Sequence, residues 1–185
     1  MGLNHQLGVR TAVVRGTAGA DQIAVAVTAE EIAVTVNNGE ARIFDRANVD
    51  VVVVDGQAAN DVITMTGTDE AETAQLLPNQ ASLRVGNDFL GTNYGVLAIA
   101  AEQATVTAGT GGSDLAVVRD TRQTSDTAVA SGNQLQLSAG TGRISRALGF
   151  DRVRAITTAP SGGSEADDIQ TGAIDYVLTL AGNWI

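Results

Sequence analysis

The chain has 185 residues and a formal net charge of −10, and this length is enough for one domain with a sizeable core. Its eleven basic residues are all arginines that no segment gathers together, so the composition argues against binding nucleic acid or an anionic membrane. The chain contains no cysteine, which excludes disulfides and thiolate metal sites.

Short β-strands are predicted along almost the whole chain, because runs rich in β-branched residues alternate with Gly, Asn, Asp and Thr. After a strand-like run at 10–15, the predicted strands are, in chain order, 23–27, 32–36, 49–55, 62–66, 82–85, 96–100, 104–108, 115–118, 134–138, 152–157 and 176–180. The tripeptide NNG at 37–39 predicts a tight turn. Two segments are ambiguous: 67–79 fits a short helix ended by Pro78 or an insertion loop, and 144–155 favours a strand.

A glycine-rich corner that ends in an acid recurs along the chain. The four copies are GTAGADQIA (16–24), GQAANDVIT (56–64), GTGGSDLAV (109–117) and GGSEADDIQ (162–170). In each copy an aspartate follows the opening glycine by five residues; these are Asp21, Asp61, Asp114 and Asp167, and a weaker copy at 121–129 adds Asp126. Recurrence at a period of tens of residues is typical of solenoids and other repeat proteins.

From this recurrence we predict an all-β fold, namely a single parallel β-solenoid (β-helix) domain over residues 1–185 with about three short strands per coil. Its degenerate repeats would place Asp21, Asp61, Asp114 and Asp167 at equivalent corners along one edge. The alternative fold is a β-sandwich, which would show paired antiparallel hairpins instead.

The first corner resembles the hemolysin-type (RTX-like) nonapeptide G-G-x-G-x-D-x-U-x, with Gly16, Gly19, Asp21 and Ile23 matching and Thr17 replacing the second glycine. The stretches GTAGADQI, DGQAANDVI and RALGFDRVRA resemble the long extracellular repeat proteins of planctomycete-type bacteria. This likeness covers most of the chain from position 13 to position 180, and it implies a parallel β-solenoid in a surface or matrix protein without established catalysis. In hemolysin-type proteins the nonapeptides are adjacent and share calcium, whereas the copies here are 40 to 53 residues apart.

The corner aspartates have two interpretations. Calcium needs six to eight oxygens, so two corners must combine, and Asp114 with Asp126 and Asp120 is the predicted combination. The full set of candidate ligands is Asp21, Asp61, Asp114, Asp120, Asp126 and Asp167. Alternatively, each aspartate caps its own corner by accepting backbone N–H groups. We expect no obligatory calcium, because the adjacent spacing is missing, and we predict no other cofactor.

Catalysis by carboxylates is the enzymatic alternative, since β-helix enzymes that act on polysaccharides use clustered acids. The acids of DEAE (69–72) lie in a polar run without a partner base, and His5 is the only histidine. We therefore predict that the chain is not an enzyme.

The two ends of the chain predict self-association. Residues 7–15 and 176–185 read as strands without caps, and an unpaired strand edge invites pairing with another chain. The residues predicted at this contact are Val13, Val14, Val177, Leu178, Leu180 and Trp184. Trp184 has a second interpretation as a cap over the end of the core.

The predicted function is a non-enzymatic, self-associating structural module of an extracellular fibre or surface layer, which implies a homo-oligomer or filament. The alternatives are a calcium-stabilised adhesion or binding module and a polysaccharide-acting enzyme. The predicted location is extracellular or at the cell surface, with the cytoplasm as the alternative because the first ten residues lack the apolar core of a signal peptide. No run has the apolar length for membrane insertion.

Overall fold

The structure, a computed structural model, describes residues 9–86, 95–120, 125–139, 142–157 and 167–185. Within these ranges the chain forms strands and turns and no helix, so the all-β prediction is confirmed. The strands are β1 (Thr11–Arg15), β2 (Gln22–Val27), β3 (Glu31–Val36), β4 (Arg42–Asp45), β5 (Val51–Asp55), β6 (Val62–Thr66), β7 (Glu72–Leu77), β8 (Gln80–Val85), β9 (Gly95–Ile99), β10 (Gln103–Thr107), β11 (Leu115–Arg119), β12 (Thr127–Gly132), β13 (Gln134–Ser138), β14 (Ile144–Leu148), β15 (Arg152–Ile156), β16 (Asp168–Ile174) and β17 (Val177–Ala181).

These strands form two mixed sheets that share one hydrophobic core. The first sheet has eight strands in the order β1-β5-β9-β8-β7-β11-β15-β17, and the second has nine in the order β16-β12-β13-β14-β10-β6-β2-β3-β4. Inward positions alternate with outward ones along most strands, and the inward ones are mainly aliphatic residues such as Ile23, Ile63, Leu76 and Leu135. The scarcity of aromatic residues therefore suits a core between two closely packed sheets.

The predicted parallel β-solenoid with about three strands per coil is wrong. Nine strand pairs are parallel, but six are antiparallel. The antiparallel pairs belong to three meanders, β2–β3–β4, β7–β8–β9 and β12–β13–β14, which interrupt the coils. The alternative, a β-sandwich, predicted paired antiparallel hairpins; the three meanders contain such hairpins, but both sheets are mixed and also contain parallel pairs.

Local turn chemistry explains why the chain doubles back. Asn37 and Asn38 both have positive φ values, 52° and 57°, and the N–H of Gly39 donates to the carbonyl of Val36 at 2.9 Å. Two consecutive left-handed residues make the tight turn that reverses a strand, so β4 lies against β3 instead of starting a new coil. The predicted turn at NNG is confirmed.

A second correction concerns 67–79, which is neither a helix nor an insertion loop. Glu72–Leu77 form β7, with Ala74 and Leu76 buried, and Pro78 lies in the turn to β8. Polar Thr73 and Gln75 alternate there with apolar Ala74 and Leu76, and this period of two is the pattern of a strand and not of a helix.

The same order of strands occurs three times along the chain, in β2–β6, β7–β11 and β12–β16. Each of these five-stranded units makes a meander in one sheet, one strand in the other sheet, and a fifth strand that pairs in parallel with the first. Asp61, Asp114 and Asp167 precede the fifth strands and are 53 residues apart, so this unit, and not a coil, accounts for that interval.

Candidate functional site

The corner acids lie where the chain crosses from one sheet to the other. Crossings from the first sheet to the second form one edge of the molecule, because the strands that lead into them are parallel. Asp21, Asp61, Asp126 and Asp167 lie at this edge. Asp114 lies between β10 and β11, in a crossing from the second sheet back to the first, and therefore at the opposite edge. The prediction of four equivalent corners along one edge is wrong.

Hydrogen bonds connect the corner acids into three ladders, in which the backbone N–H of one acid donates to the carboxylate of the next. In the first ladder Asp21 donates to Asp61 at 2.8 Å, and Asp61 donates to Glu102 at 3.0 Å. The second ladder runs from Glu72 to Asp114 to Asp151 at 2.8 Å per step. In the third, Asp126 donates to Asp167 at 3.0 Å. The first step of every ladder joins the first and fifth strands of one five-stranded unit.

Asp21 shows what a carboxylate does within its own corner. Its Oδ2 accepts the backbone N–H of Thr17 at 2.5 Å, and its Oδ1 accepts from the Asn37 amide at 2.5 Å. The hydrogen bond from the Thr17 backbone is the largest cause that lowers the pKa of Asp21. A Cβ at Gly16 would lie 2.5 Å from Oδ2, so the opening glycine makes room for the acid five residues on. These contacts match the turn-capping interpretation.

Asp61 occupies the equivalent position in its own corner, but fewer hydrogen bonds hold its carboxylate. Asp61 is fully buried, and its Oδ1 accepts the backbone N–H of Asp21. Within the described residues its Oδ2 has no hydrogen-bond partner. The N–H of Gln57, which corresponds to that of Thr17, donates instead to Asp55 at 3.1 Å. Burial raises the pKa of Asp61, and the charges of Asp21, Glu102 and Asp55 add to that rise. The corner is also strained, with φ of 78° at Gln57.

Glu72 is not among the predicted site residues, because the recurring corner motif is defined by aspartate. Glu72 follows Gly67 by five residues, is 1% exposed, and accepts the N–H groups of Thr68 and Gly109. Burial raises the pKa of Glu72 despite these bonds. Burial likewise raises the pKa of Asp114, and the charge of Asp151 adds to this. A motif that allows either acid five residues after glycine includes this corner.

One cluster of three carboxylates has the geometry of a metal site. Asp120, Asp126 and Asp167 are at most 4% exposed, and one carboxylate oxygen from each lies within 4.8 Å of the others. Asp120 and Asp167 share a side-chain hydrogen bond, and burial, with this bond and the neighbouring charges, raises the pKa of Asp167 to about 6. The predicted combination of Asp114 with Asp126 does not form, whereas Asp120 and Asp126 come together with Asp167. The stretches 121–124 and 158–166 of their corners lie outside the described residues.

The predicted contact residues have different positions. Val13, Val177 and Leu180 are exposed, but Val14 is fully buried in the core. Leu178 and Trp184 are partly buried against the core. The Trp184 indole N–H donates to the carbonyl of Ala155 at 3.4 Å, and Trp184 forms a β-bridge with Asp167, as expected for a cap over the end of the core.

The fold and the hydrogen-bond ladders define an all-β protein of two mixed sheets. Buried carboxylates accept hydrogen bonds at the crossings where the chain passes from one sheet to the other. No family model, curated protein or solved structure matches the chain. The likeness to planctomycete-type repeat proteins therefore stays a prediction. The described part of the chain contains no helix of the length and apolar character that crossing a membrane requires.

Proposed function

We propose that the protein is a non-enzymatic structural module that associates with further copies of itself into a fibre or surface layer. The supporting observation is that, in the described part of the chain, each sheet begins and ends on a strand with one open edge. These strands are β1 and β17 in the first sheet and β4 and β16 in the second. Open edges carry unsatisfied N–H and C=O groups, and pairing with another chain satisfies them.

The use of the acids supports a structural role. A general acid or base must come within hydrogen-bond reach of its substrate. Asp61, Glu72 and Asp114 are at most 2% exposed, and each accepts backbone N–H groups that fix the crossings. The buried cluster of Asp120 and Asp167 is equally out of reach of a polysaccharide. These carboxylates bind backbone groups of the crossings between the two sheets instead of facing solvent.

Sedimentation velocity and electron microscopy over a range of protein concentrations test this proposal. A structural module forms oligomers that grow with concentration and appear as filaments or layers. A protein that remains monomeric at its highest soluble concentration contradicts the proposal, as does catalytic turnover of a polysaccharide that a single carboxylate substitution abolishes.

A second candidate is a calcium-stabilised binding module, which the cluster of Asp120, Asp126 and Asp167 favours. Calcium binds oxygens at about 2.3–2.6 Å, so ligand oxygens on opposite sides of one ion are about 4.8 Å apart. The three carboxylates fall within this limit and repel one another when charged. A calcium ion would replace that repulsion by attraction, and the melting temperature with calcium or with a chelator measures the difference.

A further inference from the structure

The two ends of the molecule match each other in strand direction. We call the end formed by β1 and β4 the leading end, and the end formed by β16 and β17 the trailing end. A meander reverses the chain direction twice, so its first and third strands are parallel. As a result, β1 runs parallel to β17 in the first sheet, and β4 runs parallel to β16 in the second. A second copy placed beyond the trailing end by translation therefore presents its edges in parallel, which is the commoner pairing inside the molecule.

Within the described part of the chain, the trailing end leaves part of the core uncovered. Leu178 and Leu180 pair in register with Val153 and Ala155, which are almost completely buried, so both leucines face the core. Leu180 is nevertheless 44% exposed. The C-terminal residues 184–185 cover only the beginning of β16. Apolar side chains that face the core but remain exposed at one end are a surface for a partner.

The leading end offers matching apolar side chains. Val13 on β1 and Ile43 on β4 are 47% and 53% exposed on the outer faces of the two sheets. Val177, on the outer face of β17, is 63% exposed. Pairing of β17 with β1 would place Val177 and Val13 on one continuous face.

The edge strands at the two ends carry net charges of opposite sign, and at the leading end Arg15 also forms an ion pair with Asp55 of β5 at 3.9 Å. The leading strands carry Arg15 and Arg42 against the single acid Asp45. The only charged residue in the trailing strands is Asp168, and Asp175 lies in the connection between them. Complementary charge favours contact between unlike ends and disfavours contact between like ends.

We propose that the trailing end of one copy binds the leading end of a second copy. In this contact β17 adds in parallel to β1, and the second half of β16 faces β4, so that both sheets continue from copy to copy. Such a heterologous contact does not close on itself and produces a filament. This inference rests on the proposed function, since it specifies which surfaces associate.

The internal alignment sets the register. Thr11 and Val177 are the first residues of their strands, opposite Val51 and Arg152 respectively. Keeping the crossings aligned between copies puts Val177 opposite Thr11 and therefore Thr179 opposite Val13.

The absence of native cysteine makes a disulfide test clean. Directly opposite residues of paired strands have Cα atoms about 5 Å apart, within the range that a disulfide spans. The double variant Val13→Cys/Thr179→Cys should form a series of covalent oligomers on mild oxidation, visible on a denaturing gel without reductant. The matched control is Val13→Cys/Thr64→Cys, because Thr64 is exposed on β6 in the middle of the second sheet.

Each outcome has one interpretation once circular dichroism shows that both variants fold like the unmodified protein. Covalent oligomers from the first variant, with much less from the control, support the contact. Oligomers of the unmodified protein in sedimentation, without specific crosslinking, overturn this contact and leave the proposed function standing. An unmodified protein that is monomeric at every concentration overturns both.

Discussion

The backbone N–H of Asp21 donates a hydrogen bond of 2.8 Å to Oδ1 of Asp61, forty residues further along the chain. The bond joins two successive crossings at one edge, and equivalent bonds join Glu72 to Asp114 and Asp126 to Asp167. The acids of this chain therefore connect distant corners. This role predicts how the stability of the protein depends on pH, on the glycine positions and on cations.

Stability should rise as the pH falls from neutral towards about 4, the ordinary range of carboxyl groups. Asp61, Glu72 and Asp114 have raised pKa values because they are buried. Their protonated forms are favoured by folding, so this contribution is complete below the unfolded pKa and is lost as the pH rises through the folded one. Below about pH 4 the trend should reverse, because hydrogen bonds from Thr17 and Arg10 lower the pKa values of Asp21 and Asp50.

Urea unfolding in a chelator at pH 5 and pH 8 measures this trend. The variant Asp61→Asn should gain on the order of 1 kcal/mol at pH 8, roughly 2–4 °C in melting temperature, because it removes a buried charge. The gain should be smaller at pH 5, where more of the carboxyl is protonated in the folded protein. The control Glu40→Gln changes an exposed acid and should reproduce the unmodified protein at both pH values. A protein that is most stable at pH 8 would contradict the assignment of buried, raised-pKa carboxyls.

Glu72 should be the acid whose loss costs most. Its carboxylate accepts the N–H groups of Thr68 and Gly109, which lie in two different crossings. The variant Glu72→Ala leaves both donors unpaired, at about 1–3 kcal/mol for the buried N–H of Thr68 and less for the half-buried N–H of Gly109. Glu72→Gln keeps one acceptor oxygen, so its free energy of unfolding should lie between that of Glu72→Ala and that of the unmodified protein. Equal free energies of unfolding for the two variants would show that the hydrogen bonds contribute nothing.

The sequence indicated the strands well, since each of its eleven predicted strands overlaps an observed one. Alternation in a run such as QLQLS reports burial directly, with Leu135 and Leu137 buried and the residues between them more exposed. Strand order was not predictable in the same way. A strand that follows a Gly/Asn turn can reverse against its neighbour or start a new coil, and both choices bury the same face.

The site was predictable only in part. The spacing of glycine and acid identified Asp21 and Asp61, because the carboxylate packs against a position without a side chain. Glu102 has no glycine five residues before it. The residue two positions before it is Ala100, whose φ is positive at 54°. The meeting of Asp120 with Asp167 depends on the pairing of β12 with β16, which no local pattern encodes.

Gly109 should not tolerate a side chain. A Cβ at this position would overlap the carbonyl oxygen of Thr68 in the neighbouring crossing, and a backbone atom cannot move aside as a side chain can. Gly109→Ala should therefore destabilise by about 1–3 kcal/mol, the usual cost of overpacking. The matched control is Gly19→Ala, since the nearest atom to its Cβ would be 3.7 Å away. Similar melting temperatures for the two variants would mean that the crossings are not packed as described.

Calcium should stabilise the protein without being required for folding. If the cluster of Asp120, Asp126 and Asp167 binds one ion, calcium at ten times its dissociation constant adds about 1.4 kcal/mol, or roughly 3–6 °C in melting temperature. Asp126→Asn should remove this increment. Asp114→Asn, a substitution at the opposite edge, should retain it. An increment that survives Asp126→Asn would place the ion elsewhere.

A lysine at the trailing end should abolish assembly and leave the fold intact. Val177 faces outward on β17, where its 63% exposure leaves room for a longer side chain in the monomer. In the proposed contact the same position lies opposite Thr11 on β1 of the next copy, so Val177→Lys places a charge and a longer side chain at the associating edge. Sedimentation should show monomers for this variant, with an unchanged circular dichroism spectrum. Val129→Lys is the control, because Val129 is also an exposed valine on an outer face but lies on β12, which is paired on both sides. Loss of assembly in both variants would point to a general effect of charge, whereas assembly that persists in Val177→Lys would show that β17 is not the associating edge.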